Sequence, residues 1–233
     1  MSFFKPKTAL IVGAGAGLSA SLARLFTRSG MQVAVAARGT DKLQTLAAET
    51  GARCFQCDVA DGASIVRLFE QVEHEMGAPE VVVYNPSARV KGSFVDVAPA
   101  DVEKAIAITA FGGFMVAQQA AKRMLPKGQG AILFTGASAS VKGYAQSAAF
   151  AMGKFALRGL AQSMARELAP QGIHVAHFVI DGSIRNTASV AAPDQSESML
   201  HPDAIAQSYL HVLQQPRSAW TWEVELRPWT EKF

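Results

Sequence analysis

Residues Thr8-Ala9-Leu10-Ile11-Val12-Gly13-Ala14-Gly15-Ala16-Gly17-Leu18-Ser19 decide the fold. An apolar run ends in glycines at alternate positions, and a helix-forming segment follows at once. A run this short, bounded by glycine, reads as a strand buried on both faces. A diphosphate must approach backbone N–H groups at the positive end of a helix, and a Cβ at the closest turn would block it. A glycine-rich string alone carries little. Here it closes a strand and opens a helix near the N-terminus, which is the context such a motif requires. Gly13, Gly15, Gly17 and Leu18 are therefore the expected diphosphate cradle.

Outward from this stretch the alternation continues. Strands are expected at Gln32–Ala37, Ala52–Cys57, Glu80–Tyr84, Ala131–Thr135, Ile173–Ile180 and Trp220–Leu226. Between them, helices are expected at Gly17–Ser29, Asp41–Thr50, Ser64–Met76, Pro99–Met124, Ala148–Leu168 and Asp203–Leu213, several of them stopped by Gly or Pro. Strand–helix alternation over the whole length predicts one α/β domain spanning 1–233. Its architecture is a Rossmann-type, doubly wound parallel sheet of about seven strands with helices on both faces. Residues Ser183 to His201 break the pattern, being rich in Ser, Ala, Asn, Asp and Gln. They read as a loop that closes over a substrate.

Composition narrows the function classes. The chain has 233 residues, a net charge of +3 and 18% charged residues, against about 25% in an average soluble domain. With 49% hydrophobic residues it is not disordered, and it lacks the dense basic stripe of a nucleic-acid binder. The start, Met1 to Lys7, is too short and too soon broken by Pro6 for a secretory signal, and no apolar run is long enough to span a bilayer. Cys54 and Cys57 are three apart on a strand and so face opposite ways, as do His174 and His177; no metal site is expected. A cytoplasmic protein without membrane or nucleic-acid partners is the expectation. Ala105–Ala121 carries no charge, and Phe150–Ala165 carries only Lys154 and Arg158. Helices so apolar must be covered on more than one side, which predicts a homo-oligomer, dimer or tetramer, through the 100–124 and 148–168 helices.

The second strand selects the coenzyme. It ends Ala36-Ala37-Arg38-Gly39, with no acid before Asp41. An NAD site places a carboxylate there for the ribose 2′-OH. The planar fork of Arg38 suits a 2′-phosphate instead, so NADP(H) is favoured over NAD(H). Asp58, after the third strand, either accepts from the adenine amino group or belongs to the start of the next helix.

Together these residues resemble the short-chain dehydrogenase/reductase family over essentially the whole chain. The resemblance rests on the G-x-x-x-G first turn, on Asp58-Val59, on Asn85 after the fourth strand, and on Phe150-Ala151-Met152-Gly153-Lys154-Phe155, similar to the family's Y-x-x-x-K helix. It implies a catalytic group of Asn, Ser, Tyr and Lys, in which the Tyr moves the substrate proton, the Ser polarises the carbonyl and the Lys binds the nicotinamide ribose. Mapped residue by residue, the Lys is Lys154 and the Ser is Ser138, with Ser140 its rival. Phe150 stands at the Tyr position and Thr109 at the Asn position. Asp58, Val59, Asn85, Lys154 and Gly182 join the expected cofactor contacts. Ser19 replaces a glycine of the first turn, Pro86-Ser87 replaces Ala-Gly after Asn85, and Asp181 precedes Gly182 where the family has Pro. The implied activity is hydride transfer between NADP(H) and a small or medium carbonyl or alcohol. Phe150 has no proton to give, so the donor must be atypical: Ser138, Tyr144 or a water held by Lys154. The alternative is a catalytically silent coenzyme-binding protein.

Overall fold

Side chains of β1 (Thr8–Val12) alternate between two apolar layers. Ala9 and Ile11 join one layer, and Leu10 and Val12 join the other. The computed structural model describes residues 4–185 and 198–231. The first layer packs under α1 (Leu18–Arg28), α2 (Gln44–Thr50) and α7 (Pro202–Leu213). The second packs under α3 (Gly62–Met76), α5 (Gly112–Met124) and α6 (Ala148–Leu168). The continuous apolar strands of the sequence thus have their physical cause: each strand needs two hydrophobic faces.

The remaining strands are β2 (Gln32–Ala37), β3 (Arg53–Gln56), β4 (Val81–Tyr84), β5 (Gly130–Thr135), β6 (Ile173–Ile180) and β7 (Glu223–Leu226). Among the described residues the seven strands form one sheet in the order β3-β2-β1-β4-β5-β6-β7, with every pairing parallel. The chain winds outward from β1 to β3, then returns to pair β4 on the other side of β1. This reversal opens a crevice at the carboxyl ends of β1 and β4, where ligands bind in such sheets.

Cys54 lies against the first layer and Cys57 in the second, on opposite faces as expected. No described helix is long and apolar enough to cross a membrane. The outer surfaces of the two long helical segments expose Phe111, Phe114, Met152 and Phe155, and the rings of Phe111 and Phe114 stack at 6.1 Å.

Three expectations are corrected. The segment 99–124 is not one regular helix: α4 (Pro99–Ile106) passes through a widened π turn, Ala107–Phe111, before α5 begins. The reason is tertiary. A Cβ on Gly112 would lie 2.6 Å from the Tyr84 hydroxyl and 2.7 Å from the Val59 carbonyl oxygen, and that hydroxyl donates to the Ile108 carbonyl. The segment from Asp41 starts with a single 3-10 turn, Asp41–Leu43, before α2. The last strand starts at Glu223, not Trp220. Gln215 accepts from the Trp220 indole N–H at 3.2 Å and from the Thr221 N–H at 2.8 Å, which holds both residues off the ladder. Of the expected substrate loop, residues 186–197 lie outside the described residues. At its base Ile184 bridges Leu200, with Leu200 N–H donating to the Ser183 carbonyl at 2.9 Å.

Candidate active site

The turn after β1 has the geometry a diphosphate requires. Gly13 has φ +81°, a left-handed conformation, and a Cβ there would lie 2.7 Å from Pro86. At Gly15 and Gly17 a Cβ would meet nothing within 4 Å, so the space beside their backbones is open. Gly17 is the N-cap of α1, and no side chain caps that end. Its first amides remain for a ligand. Leu18 contributes only backbone there, since its side chain is buried in the core. Asn85 holds the turn from the far side, donating to Ser19 Oγ at 2.7 Å, and Ser19 donates to the Gly13 carbonyl at 3.2 Å. Ser19, where a glycine was expected, is thus half of a latch on the cradle.

From this turn a cleft of about 880 Å³ runs along the carboxyl ends of the strands. Gly13, Gly15, Arg38, Lys42, Asp58, Val59, Asn85 and Arg89 line it. Arg38 is exposed at the end of β2, and its carbonyl accepts from Gln56 Nε2 at 3.0 Å. The α3 N-cap is Asp61, which accepts from Ala63 N–H at 2.9 Å. Asp58 does not cap the helix: one oxygen takes the Ala60 N–H at 3.0 Å, and the residue lines the cleft. Gly182 has φ +146° and packs on Pro228, where a Cβ would come within 2.8 Å; it does not line this cleft.

Behind Arg89, α6 carries Phe150 and Lys154 one turn apart, both buried. Lys154 Nζ donates to the Thr135 carbonyl at 2.7 Å and lies 5.9 Å from the centre of the Phe150 ring. Burial, with help from the charge of Arg89, pushes the Lys154 pKa down to about 7. Thr109 lies in the π turn, fully buried, and a Cβ on Gly153 would come within 2.9 Å of it. Its hydroxyl accepts from Ala88 N–H at 3.0 Å, so it holds the loop after β4. The side chains that cluster with Phe150 from the turn after β5 are Ala137 and Ala139; Ser138 lies half-buried between them. Ser140 is fully buried, bonded to the Ala137 N–H at 3.1 Å and paired with His177 Nε2 at 3.3 Å. Tyr144 is 48% exposed.

Two features escaped the sequence reading. His177 joins Ser140 to Glu223, at 3.1 Å, and Glu223 takes both N–H groups of the Arg158 fork at 2.6 and 2.8 Å. Burial outweighs the nearby carboxylate and pushes His177 down to about 4, so the ring is neutral. Ser140 has no exposed surface, so the chain Ser140–His177–Glu223 is structural support rather than a nucleophile. The second feature is Arg89, whose guanidinium carbon sits 4.4 Å from the Phe150 ring centre. Its sequence signal was a cation, followed by Lys91, in the loop between Asn85 and α4.

The depressed Lys154 pKa makes stability depend on pH. Lys154 binds its proton below about 7 when folded, against 10.5 for an ordinary lysine. Between those values the unfolded chain holds a proton that the folded chain lacks. Stability from this residue therefore rises with pH above 7 and is lost as pH falls back through 7, by about 1.4 kcal/mol per unit at most. Urea unfolding of the free protein between pH 7 and 9 is expected to show this slope and Lys154→Met to reduce it; equal slopes would contradict the buried, neutralised lysine.

Comparison with known proteins agrees with this geometry. The model of the short chain dehydrogenase family matches residues 7–197. A crystallised short-chain dehydrogenase from Rhodopseudomonas palustris is 35% identical, with a TM-score of 0.80 over 95% of this chain and 99% of that one. The D-threitol dehydrogenase of Mycolicibacterium smegmatis is 29% identical over 174 residues, 72% of this chain and 67% of the relative. The cyclic-di-GMP-binding biofilm dispersal mediator protein of Escherichia coli is 32% identical over 206 residues, 86% of this chain and 82% of the relative. A parallel sheet that reverses beside a glycine turn, an open helix N-terminus and a buried lysine on α6 all fit the same assignment: the chain belongs to the short-chain dehydrogenase family.

Proposed function

We propose that this protein is an NADP(H)-dependent oxidoreductase that acts on a small or medium carbonyl or alcohol without a tyrosine proton donor. The observation that carries the reading is the open backbone at Gly15 and Gly17 beside the uncapped start of α1. A diphosphate there would accept from amides that have no other partner. Arg38 and Lys42 line the same cleft at the end of β2; both would face a 2′-phosphate, while the ribose hydroxyl of NAD would find only Asp41. Asp58 and Val59 would border the adenine, Asn85 keeps the turn in shape, and Lys154 would hold the nicotinamide ribose. When bound, the coenzyme supplies the hydride chemistry.

The proton route falls to Lys154. One of its N–H groups is committed to the Thr135 carbonyl. The others would hand a proton to the substrate oxygen through the Ser138 hydroxyl or a water, and a pKa near operating pH suits that task. Without the phenol, reduction of an ordinary ketone is slow. The apolar cluster of Phe150, Ala137 and Ala139 also favours a second reading, a protein that binds the coenzyme without turnover. The exposed Phe111, Phe114, Met152 and Phe155 support a homo-oligomer joined through 100–124 and 148–168. The expected setting is the cytoplasm.

Calorimetric titration is expected to give a dissociation constant at least tenfold lower for NADPH than for NADH, and Arg38→Leu is expected to level the two; tighter binding of NADH would overturn the coenzyme assignment. Phe150→Tyr is expected to raise NADPH-dependent reduction of a carbonyl panel by about 10²-fold or more. An unchanged rate would contradict a cleft built for reduction.

A further inference from the structure

Arg89 is the one feature of the cleft that coenzyme binding leaves unexplained. It is exposed, yet its backbone is fixed on both sides: the Thr109 hydroxyl takes the preceding Ala88 N–H at 3.0 Å, and Gly92 N–H donates to the Gln146 carbonyl at 3.3 Å. Gln146 itself adopts φ 59°, a left-handed conformation that a glutamine rarely takes, to present that carbonyl. The guanidinium rests on the face of Phe150, 4.4 Å from its centre, while Lys154 reaches the same ring at 5.9 Å. Arg89 and Lys154 therefore both approach one phenyl ring. Two acids near the strand ends are engaged elsewhere: Asp181 with Lys142 at 2.9 Å and Arg227 at 3.6 Å, and Glu223 with Arg158 and His177. Among the described residues none of the ion pairs includes Arg89. Arg89 is itself exposed, and its planar fork stays available for a two-point contact with a carboxylate.

We infer that the substrate of this cleft carries a carboxylate beside its reacting carbonyl or hydroxyl group, held by the guanidinium of Arg89 above the Phe150 ring. The inference rests on reading the Phe150 end of the cleft as the substrate end. A phenyl ring in place of a phenol gives up a proton donor but leaves an apolar floor under the guanidinium. A fixed cation then orients the substrate by its charge. Lys154, behind the ring, stays free to serve the reacting oxygen. A neutral ketone would leave Arg89 without an ionic partner, and a carboxylate would supply one.

The test uses pairs of probes matched in shape and differing in charge: pyruvate against 2,3-butanedione, and phenylglyoxylate against 1-phenyl-1,2-propanedione. Each is titrated calorimetrically into the full-length protein, with and without saturating NADPH, for the wild type, Arg89→Gln and Arg89→Lys. At least one carboxylate is expected to bind tenfold or more tighter than its neutral partner. Arg89→Gln is expected to erase that difference and Arg89→Lys to restore part of it, with NADPH affinity unchanged within threefold in both variants. If neither carboxylate outbinds its partner, or if Arg89→Gln leaves the preference intact, the inference is overturned. A tenfold loss of NADPH affinity in Arg89→Gln would also overturn it, by assigning the arginine to the coenzyme. The two readings fail separately. NADPH binding without charge preference removes the carboxylate site and keeps the coenzyme; an Arg89-dependent carboxylate preference in a protein that binds no NADPH does the reverse.

Discussion

Everything in the cleft is arranged around the place where β1 ends and α1 begins. The helix presents amides with no intrahelical acceptor and no capping side chain. The glycines leave their approach clear, and the Asn85–Ser19–Gly13 contacts keep the turn from closing onto itself. Because β1 lies inside the sheet with β2 on one side and β4 on the other, this one turn shares its cleft with Arg38 after β2 and with Arg89 after β4. The positive helix end, Arg38 and Lys42 give the cleft a field suited to a polyanion at one side. The pair Arg89 and Lys154 extends that field to the other.

The site combines a polar cradle with an apolar floor. Where the family resemblance places a phenol, a phenyl ring lies with the methyl groups of Ala137 and Ala139. The resulting environment has two opposite effects. It removes hydrogen-bond donors from the reacting end, and it desolvates Lys154 enough to bring its proton within reach of neutral pH. Loss of one acid thus accompanies the tuning of another.

The fold was legible because its signal is local and repeated. Strands buried on both faces must be continuously apolar, and Gly or Pro ends the helices between them, so most element bounds lay within a few residues of those read from the pattern. The cradle was legible for the same reason: three glycines between a strand and a helix are a one-dimensional signature of a three-dimensional need. Legibility failed where contacts cross the chain. The π turn at Ala107–Phe111 exists because Gly112 is pressed on Tyr84 and Val59, distant in sequence. On the turn after β5, Ala137 and Ala139 cluster with the Phe150 ring while Ser138 lies half-buried between them, an arrangement that residue spacing alone does not give. Nor does the sequence show that the Thr109 hydroxyl anchors the Ala88 N–H, 21 residues away. Arg89 was passed over because nothing in a loop's sequence shows that its guanidinium folds back onto a helix.

The account depends most directly on nucleotide capture at the first turn. The decisive measurement is the thermal midpoint of the purified protein with and without millimolar NADPH, made side by side for the wild type and for Gly15→Val, which fills the open space at that backbone. A rise of several degrees in the wild type, absent in a variant whose own midpoint without ligand is unchanged, is the predicted result. No rise in the wild type, or the same rise in both proteins, would contradict it.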